Sequence, residues 1–132
     1  MIVADSNLIA TCVLEGAATD SARRLHDIDG EWYVPRLWRY EVMNIFATMI
    51  KARGMPTTAA EATYSALAVA LRPFERDPPP QDVFALVEKY GISGYDAQFV
   101  ALALKLGCTL YTQDKELLQK FPETAKPFYV RA

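Results

Sequence analysis

The sequence has few of the residues that mark several common classes of protein. Its two cysteines, Cys12 and Cys108, lack the paired spacing of a zinc or redox motif, so we expect free buried thiols in a reducing cytoplasm. Its one histidine, His26, falls in the polar half of a predicted helix, which argues against chemistry driven by histidine. No apolar run reaches the ~18 residues of a membrane span, and the N-terminus shows no cleavable signal pattern. These absences predict a cytoplasmic protein without a membrane segment.

The chain also lacks an excess of positive charge. It carries 14 Lys and Arg against 16 Asp and Glu, which gives a formal net charge of −2. A protein that coats nucleic acid should present a dominant basic face, so this class is disfavoured. The balance still permits an enzyme that grips phosphates through metal ions and a few local arginines.

Short apolar runs alternate with segments of helical periodicity along the whole chain, which contains no repeat. We therefore expect a single domain over residues 1–132, long enough for a hydrophobic core. Strands are predicted at 1–4, 31–34, 109–112 and 127–130, with an edge strand at 73–76. Helices are predicted at 8–13, 20–28, 37–53, 57–71, 81–90, 95–106 and 115–121. This alternation is typical of an α/β fold with a mainly parallel central sheet.

Residues 92–118 contain an acid, a helix, a strand and a second acid in close succession. Asp96 opens the helix and shares the apolar face that begins at Phe99. Gly107 ends that helix in the usual C-terminal way. Residues 109–112 read as a buried strand, and Asp114 follows directly after it. Such an arrangement is half of an α/β active site.

Two further acids from distant parts of the chain complete the candidate site. Asp5 follows the first predicted strand, and Glu41 lies on the inner face at the start of helix 37–53. Right-handed crossovers bring the carboxyl ends of parallel strands to one edge of the sheet, so these two acids could meet Asp96 and Asp114 in one cleft. Taken singly, each acid could be a turn, a helix cap or a solvated residue. Their coincidence favours the functional interpretation.

Four neighbouring carboxylates cannot all remain ionised unless a cation neutralises them. Because the candidate ligands are oxygen atoms, without cysteine or histidine, Mg²⁺ or Mn²⁺ is favoured over zinc. Ser6, Asn7 and Thr112 are short polar residues beside the acids. They could support the metal ligands or hold water, and turn or cap roles are equally compatible with their positions.

At this point the sequence resembles the PIN-domain nucleases, particularly the VapC-like toxins of toxin–antitoxin pairs. The likeness spans nearly the whole chain and rests on four segments. These are VADSNLI with Asp5, PRLWRYEVMNIF with Glu41 and Asn44, SGYDAQFVALALKLG with Asp96, and LYTQDKEL with Thr112 and Asp114. The last two segments, in this order and spacing, are the most specific, and residues 55–80 match only loosely.

The resemblance implies a three-layer α/β/α sandwich and a metal-dependent endoribonuclease site built from Asp5, Glu41, Asp96 and Asp114. It also implies a homodimer and a small antitoxin protein whose tail covers the cleft. The apolar residues of helices 20–28 and 57–71 exceed what one small core needs, which independently favours a dimer. A strict monomer in light scattering at micromolar concentration would contradict the dimer.

We hypothesise that Asp5 and Asp96 hold the principal metal, with Glu41 and Asp114 completing its shell directly or through water. Hydrolysis of an RNA phosphodiester would then leave a 5′ phosphate without a covalent protein intermediate. Candidate contacts to RNA phosphates are Arg36, Arg39 and Lys115. For each of these, ordinary solvated charge is the alternative.

Aromatic residues near Glu41 and in the second predicted strand are candidates for stacking on RNA bases. They are Trp32, Trp38 and Tyr40, although burial or a subunit interface is the commoner use of such side chains.

Two rival functions remain open at this stage. A non-cleaving PIN-like module would bind RNA or protein and keep the four acids without turnover. An aspartyl phosphotransfer enzyme or receiver domain would share the acid after the first strand. The phosphotransferase needs a second aspartate two residues later, where Asn7 stands, and the receiver needs paired acids there, so both fit poorly.

Overall fold

The computed structural model describes residues 1–131, so Ala132 of the predicted domain lies outside the described residues. In this described part of the chain, four short strands form one sheet in the order β2-β1-β3-β4, and every neighbouring pair is parallel. They are β1 Ile2–Ala4, β2 Trp32–Tyr33, β3 Leu110–Tyr111 and β4 Ala125–Lys126. The predicted α/β fold with a mainly parallel sheet is therefore confirmed.

Within residues 1–131, seven α-helices connect and cover the strands. They are α1 Ser6–Val13, α2 Thr19–Ile28, α3 Trp38–Arg53, α4 Thr57–Leu71, α5 Pro80–Tyr90, α6 Gly94–Leu106 and α7 Lys115–Lys120, with a 3-10 turn at Arg72–Phe74. Proline begins α5, where its missing N–H has no partner to lose. Glycine in the left-handed conformation ends α6 at Gly107. Within residues 1–131, none of these helices has both the length and the apolar character needed to cross a membrane.

Alternation along β1 divides the hydrophobic core into two parts. Val3 packs in a cluster with α6 residues such as Val100, together with side chains from α5 and α7. Ile2 and Ala4 point to the other face, into a cluster formed by residues of α1, α2, α3 and α4 around Trp38. Because side chains alternate across a strand, helices cover both faces of the sheet. The result is the three-layer α/β/α arrangement.

The strand order changes direction between β1 and β3. From β1 the chain moves to β2 on one side, and it later returns to β3 on the other side of β1. In open parallel sheets, ligands bind in the crevice outside the carboxyl ends of the strands at such a switch point. Asp5 directly follows β1, and Asp114 lies three residues beyond the end of β3.

Two predicted strands differ from those in the structure. The last strand is Ala125–Lys126 rather than 127–130, because Thr112 N–H donates to the Lys126 carbonyl and Pro127 has no N–H to continue the ladder. The backbone N–H groups of Phe128 and Tyr129 donate instead to the Gln113 side chain. The predicted edge strand at 73–76 is reduced to a single parallel bridge between Val34 and Glu75.

Candidate active site

A cleft of about 500 Å³ opens at the carboxyl ends of β1 and β3. All four predicted acids and all three predicted polar residues line it: Asp5, Glu41, Asp96, Asp114, Ser6, Asn7 and Thr112. The side chains come from the starts of α1, α3 and α6 and from the segment between β3 and α7. The fold therefore gathers residues that lie up to 109 positions apart (5 to 114) in one place. Within the described residues, no lysine, arginine or histidine lines this cleft.

Asp5 is the most deeply placed acid of the cleft, with 9% of its surface exposed. Its Oδ1 accepts a hydrogen bond of 2.8 Å from Leu8 N–H and so caps α1. Burial raises the pKa of Asp5 to about 6, while hydrogen bonds from the Thr112 hydroxyl and Leu8 N–H oppose the rise and the charges of Glu41 and Asp114 add to it. The capping role and the position in the cleft are therefore compatible.

Glu41 reaches the cleft from the first turn of α3 and is half-buried. The buried Ser6 hydroxyl donates to its Oε1 over 2.7 Å, which links α1 to α3. Burial raises the pKa of Glu41, the Ser6 hydrogen bond opposes this effect, and the charge of Asp96 adds to it. Ser6 thus fixes the direction of the Glu41 carboxylate.

Asp96 and Asp114 occupy the starts of two further helices. Asp96 lies in the first turn of α6, where its N–H donates to Ser93 Oγ over 3.0 Å. Burial raises the pKa of Asp96, and the charge of Asp114 raises it further, against the opposing Ser93 hydrogen bond. Asp114 caps α7 by accepting from Leu117 N–H at 2.9 Å.

Thr112, which lines the cleft and is completely buried, connects Asp5 after β1 with Asp114 after β3. Its Oγ1 accepts from Asp114 N–H over 3.0 Å, and its hydroxyl donates to the Asp5 carboxylate. One small side chain therefore holds the acid after β1 and the backbone of the acid after β3. The sequence identified Thr112 as a polar neighbour, but only the structure identifies its partners.

The donor set of the cleft fits a hard divalent cation. Burial, with a smaller contribution from neighbouring acids, raises the pKa values of Asp5, Glu41 and Asp96, and no basic residue within positions 1–131 lines the cleft to offset their charge. Every candidate ligand atom is oxygen, as a hard divalent cation prefers. The positive ends of α1, α3, α6 and α7 offset only part of this negative charge. In residues 1–131 no three His, Cys, Asp or Glu side chains are already drawn together around a metal position. A cation would therefore have to draw the carboxylates inward or bind some of them through water.

The three basic residues proposed to contact RNA phosphates do not line the cleft. Arg39 forms two hydrogen bonds of 2.7 Å with the carboxylate of Glu75. Arg36 binds Asp77 through its backbone N–H and its Nε, both at 2.9 Å. Lys115 is exposed at the start of α7. Their contact with RNA remains a prediction.

The structure separates the candidate stacking residues into two groups. Trp32 and Trp38 are buried in the core, with 4% and 0% of their surfaces exposed. Tyr40 is 69% exposed and lines the cleft. Tyr95, the first residue of the predicted helix 95–106, is 65% exposed and also lines the cleft. An aromatic residue directly before a candidate acid in the open first turn of a helix was the signal that could have identified it.

Comparisons with known proteins agree with the fold described above. A model of the PIN domain matches residues 3–125. The chain is 49% identical over 47 residues to a protein named Ribonuclease VapC3 from Pyrobaculum aerophilum, a match that covers 36% of each chain. The fold of the present chain is similar to that in the crystal structure of PAE2754 from Pyrobaculum aerophilum. The TM-score is 0.71 and the identity 24%, and the likeness covers 96% of this chain and 90% of that one. The chain belongs to the PIN domain family.

Proposed function

We propose that this chain is a metal-dependent endoribonuclease that hydrolyses RNA phosphodiester bonds, with Asp5, Glu41, Asp96 and Asp114 as its catalytic acids. The observation that carries the proposal is the meeting of these four acids in one cleft that no basic residue within positions 1–131 lines. Buried structural carboxylates are usually paired with a cation within the protein, whereas these have hydrogen bonds but no basic residue of the described chain beside them, and their charges oppose one another. Membership of the PIN domain family and the name of the partial relative support the choice of RNA as substrate.

In this proposal Asp5 and Asp96 hold the principal Mg²⁺ or Mn²⁺, and Glu41 and Asp114 complete the site directly or through water. Such an ion supplies charge neutralisation at phosphorus and makes water a nucleophile near neutral pH. Ser6 keeps Glu41 directed into the cleft through its 2.7 Å hydrogen bond. Thr112 sets the spacing between Asp5 and Asp114. The product would carry a 5′ phosphate and a 3′ hydroxyl, because water would attack phosphorus and the bond from phosphorus to the 3′ oxygen would break. No side chain of the cleft has to act as a covalent nucleophile.

The proposal extends to the biological role. The name VapC3 of the relative supports a toxin that acts in the cytoplasm and is held inactive by a small antitoxin protein. The match spans about a third of that relative, so the partner rests on the name and on the motifs rather than on an interface. We further propose a homodimer, because α2 and α4 expose apolar side chains such as Ile28 and Val69, which are 79% and 67% exposed.

The test is cleavage of a panel of structured and single-stranded RNAs with Mg²⁺, with Mn²⁺ and with a chelator. The wild-type chain should cleave only with a divalent ion. Asp5→Asn should lower the rate by more than about 100-fold, beyond the 10–100-fold typical of residues that only support a ligand. The fold should remain intact because Asn also caps helices well.

Asp20→Asn is the matched control, since Asp20 lies in the first turn of α2 and outside the cleft. Its rate should equal that of the wild type. Cleavage by Asp5→Asn at the wild-type rate would reject the assignment of the acids. Binding of RNA without any cleavage would favour the non-cleaving module, and phosphorylation of Asp5 by a small phosphodonor would favour the phosphotransfer alternative.

A further inference from the structure

A second cavity, of about 480 Å³, lies beside the acidic cleft. We call it the α5–α6 groove, because residues at the starts of these two helices line it: Pro78, Pro80, Phe84, Ser93, Tyr95 and Gln98. Tyr95 lines both the groove and the acidic cleft, so the two cavities adjoin at this residue. A ligand bound in one cavity could therefore continue into the other.

The groove presents aromatic surface that the core does not use. Phe84 on α5 is 68% exposed and Tyr95 on α6 is 65% exposed. Both belong to helices that already bury other apolar residues, such as Val83 beside Phe84. Large exposed rings on either side of one cavity cost hydration free energy unless a ligand covers them.

Rigid and polar groups complete the groove. Pro78 and Pro80 form part of its wall, and their fixed φ angles mean that little backbone freedom would be lost on binding. Gln98 supplies an amide with both donor and acceptor atoms. Ser93 Oγ already accepts from Asp96 N–H, which leaves its hydroxyl hydrogen as a donor. The groove thus combines stacking surface with a few hydrogen-bonding groups.

One wall of the groove carries an ion pair between Asp77 and Arg36. Asp77 lines the groove, and Arg36 neutralises it through the 2.9 Å pair between Nε and Oδ2. The Arg36 side chain is 70% exposed, so this pair brings a guanidinium to the edge of the groove rather than to the acidic cleft. A ligand that carries both an apolar ring and a phosphate matches this combination better than a purely apolar ligand does.

We propose that the α5–α6 groove is a nucleobase subsite that holds one unpaired base of the RNA, next to the phosphate in the acidic cleft. The inference rests on the proposed nuclease function and deepens it by giving one base of the RNA a binding position beside the cleft. Phe84 and Tyr95 supply the stacking surfaces, and Gln98 and Ser93 address the edge of the base. Arg36, at the edge of the groove, faces a further phosphate of the strand and not the phosphate in the acidic cleft. A base can enter the groove only when it is unstacked, so paired RNA is excluded.

The experiment measures binding of a short single-stranded RNA that contains one 2-aminopurine, whose fluorescence falls when it stacks. All proteins carry Asp5→Asn in addition, so that cleavage does not interfere. With the groove intact, binding should quench the fluorescence. Tyr95→Ala and Phe84→Ala should each reduce the quenching and weaken binding roughly tenfold, the effect of losing one stacked base.

Tyr95→Phe retains the ring and should bind as the parent does, which separates stacking from any effect on folding. Leu104→Ala is the matched control, because Leu104 is an exposed apolar residue of α6 that lies outside both the groove and the cleft. Equal quenching and affinity in Tyr95→Ala, Phe84→Ala and Leu104→Ala would overturn the subsite. So would a change of oligomeric state in Phe84→Ala with unchanged RNA binding, since the groove would then be an interface between copies.

Failure of the nuclease proposal is read separately. It would appear as absence of divalent-dependent cleavage by the wild-type chain, which retains Phe84 and Tyr95. Failure of the subsite would leave that cleavage intact and would change only the comparison among the groove variants.

Discussion

Glu41 in α3 and Glu75 after the 3-10 turn are both partly buried glutamates, but their surroundings in the fold are opposite. Glu75 has a 10% exposed side chain, accepts two hydrogen bonds from Arg39 and one from Trp38 Nε1, and the Arg39 guanidinium holds its pKa below the usual range. Glu41 has only the Ser6 hydroxyl, and burial raises its pKa. The chain pairs one carboxylate with a cation of its own and, within residues 1–131, leaves the other without one.

The contrast separates a structural site from a candidate functional site within the same stretch of chain. Trp38, Arg39 and Glu41 all belong to the first turn of α3. The hydrogen bonds of Trp38 and Arg39 with Glu75 join this turn to the segment after α4. They therefore fix where Glu41 enters the cleft. In the acidic cleft, by comparison, burial and the neighbouring acids disfavour the charged carboxylates, and a bound metal ion would offset this cost.

The largest expected effect comes from removing the buried charge of Asp5. Asp5→Asn should raise the unfolding free energy of the metal-free protein at pH 8 by up to about 3 kcal/mol, since the pKa shift from 3.8 to about 6 corresponds to roughly 1.4 kcal/mol per unit. The sign follows from linkage. An acid with a raised folded pKa binds more protons when folded, so its contribution is most favourable below about pH 4 and is lost as pH rises through about 6.

Urea unfolding of wild type and Asp5→Asn across pH 4 to 8, in a chelator, measures this difference. The stability gap between the two should widen as pH increases. A gap that does not depend on pH would mean that Asp5 carries no electrostatic cost in the folded protein. The control is again Asp20→Asn, for which no such gap is expected.

The second effect concerns the satisfied carboxylate. Glu75→Gln should lower the unfolding free energy by about 2 kcal/mol, because it leaves Arg39 with a neutral partner at a partly buried position. Unlike Asp5→Asn, the change should be independent of added Mg²⁺ or Mn²⁺. Urea unfolding with and without the ion tests this, and a loss of stability that the metal reverses would contradict the structural role.

The smallest effect concerns the hydrogen bond that directs Glu41. Ser6→Ala should reduce the cleavage rate roughly 10-fold, the lower end of the range for residues that orient a metal ligand. The pKa of Glu41 should rise further, because the Ser6 hydrogen bond opposes its upward shift. The pH profile of cleavage should therefore move to higher pH in Ser6→Ala. A lower rate with an unchanged profile would mean that Ser6 acts only through packing.

Several features followed from local sequence alone. Helical periodicity, the left-handed glycine at Gly107 and the proline at the start of α5 gave most elements within a few residues of their observed bounds. The last strand was misplaced because its position depends on pairing with Tyr111, and the sequence of 125–130 carries no record of that partner. Short strands are fixed by their neighbours more than by their own composition.

The candidate site divides along the same line. The residue types were readable from the sequence, because an acid after a strand or at a helix start occupies a position that parallel sheets turn toward one edge. The hydrogen-bonding and ionic partners of these side chains could not be predicted from the sequence. Contacts between distant segments decide that Thr112 lies between Asp5 and Asp114 and that Glu75 pairs with Arg39. They also decide that both tryptophans are buried while Tyr95 is exposed.

By itself, the sequence determined the order of helices and strands and the acids available for a metal, because local periodicity and residue chemistry suffice for both. Only the tertiary structure decided which charges are neutralised within the chain and which are left for a ligand. That decision depends on burial and on distances of a few ångströms between residues remote in sequence, which no local pattern encodes.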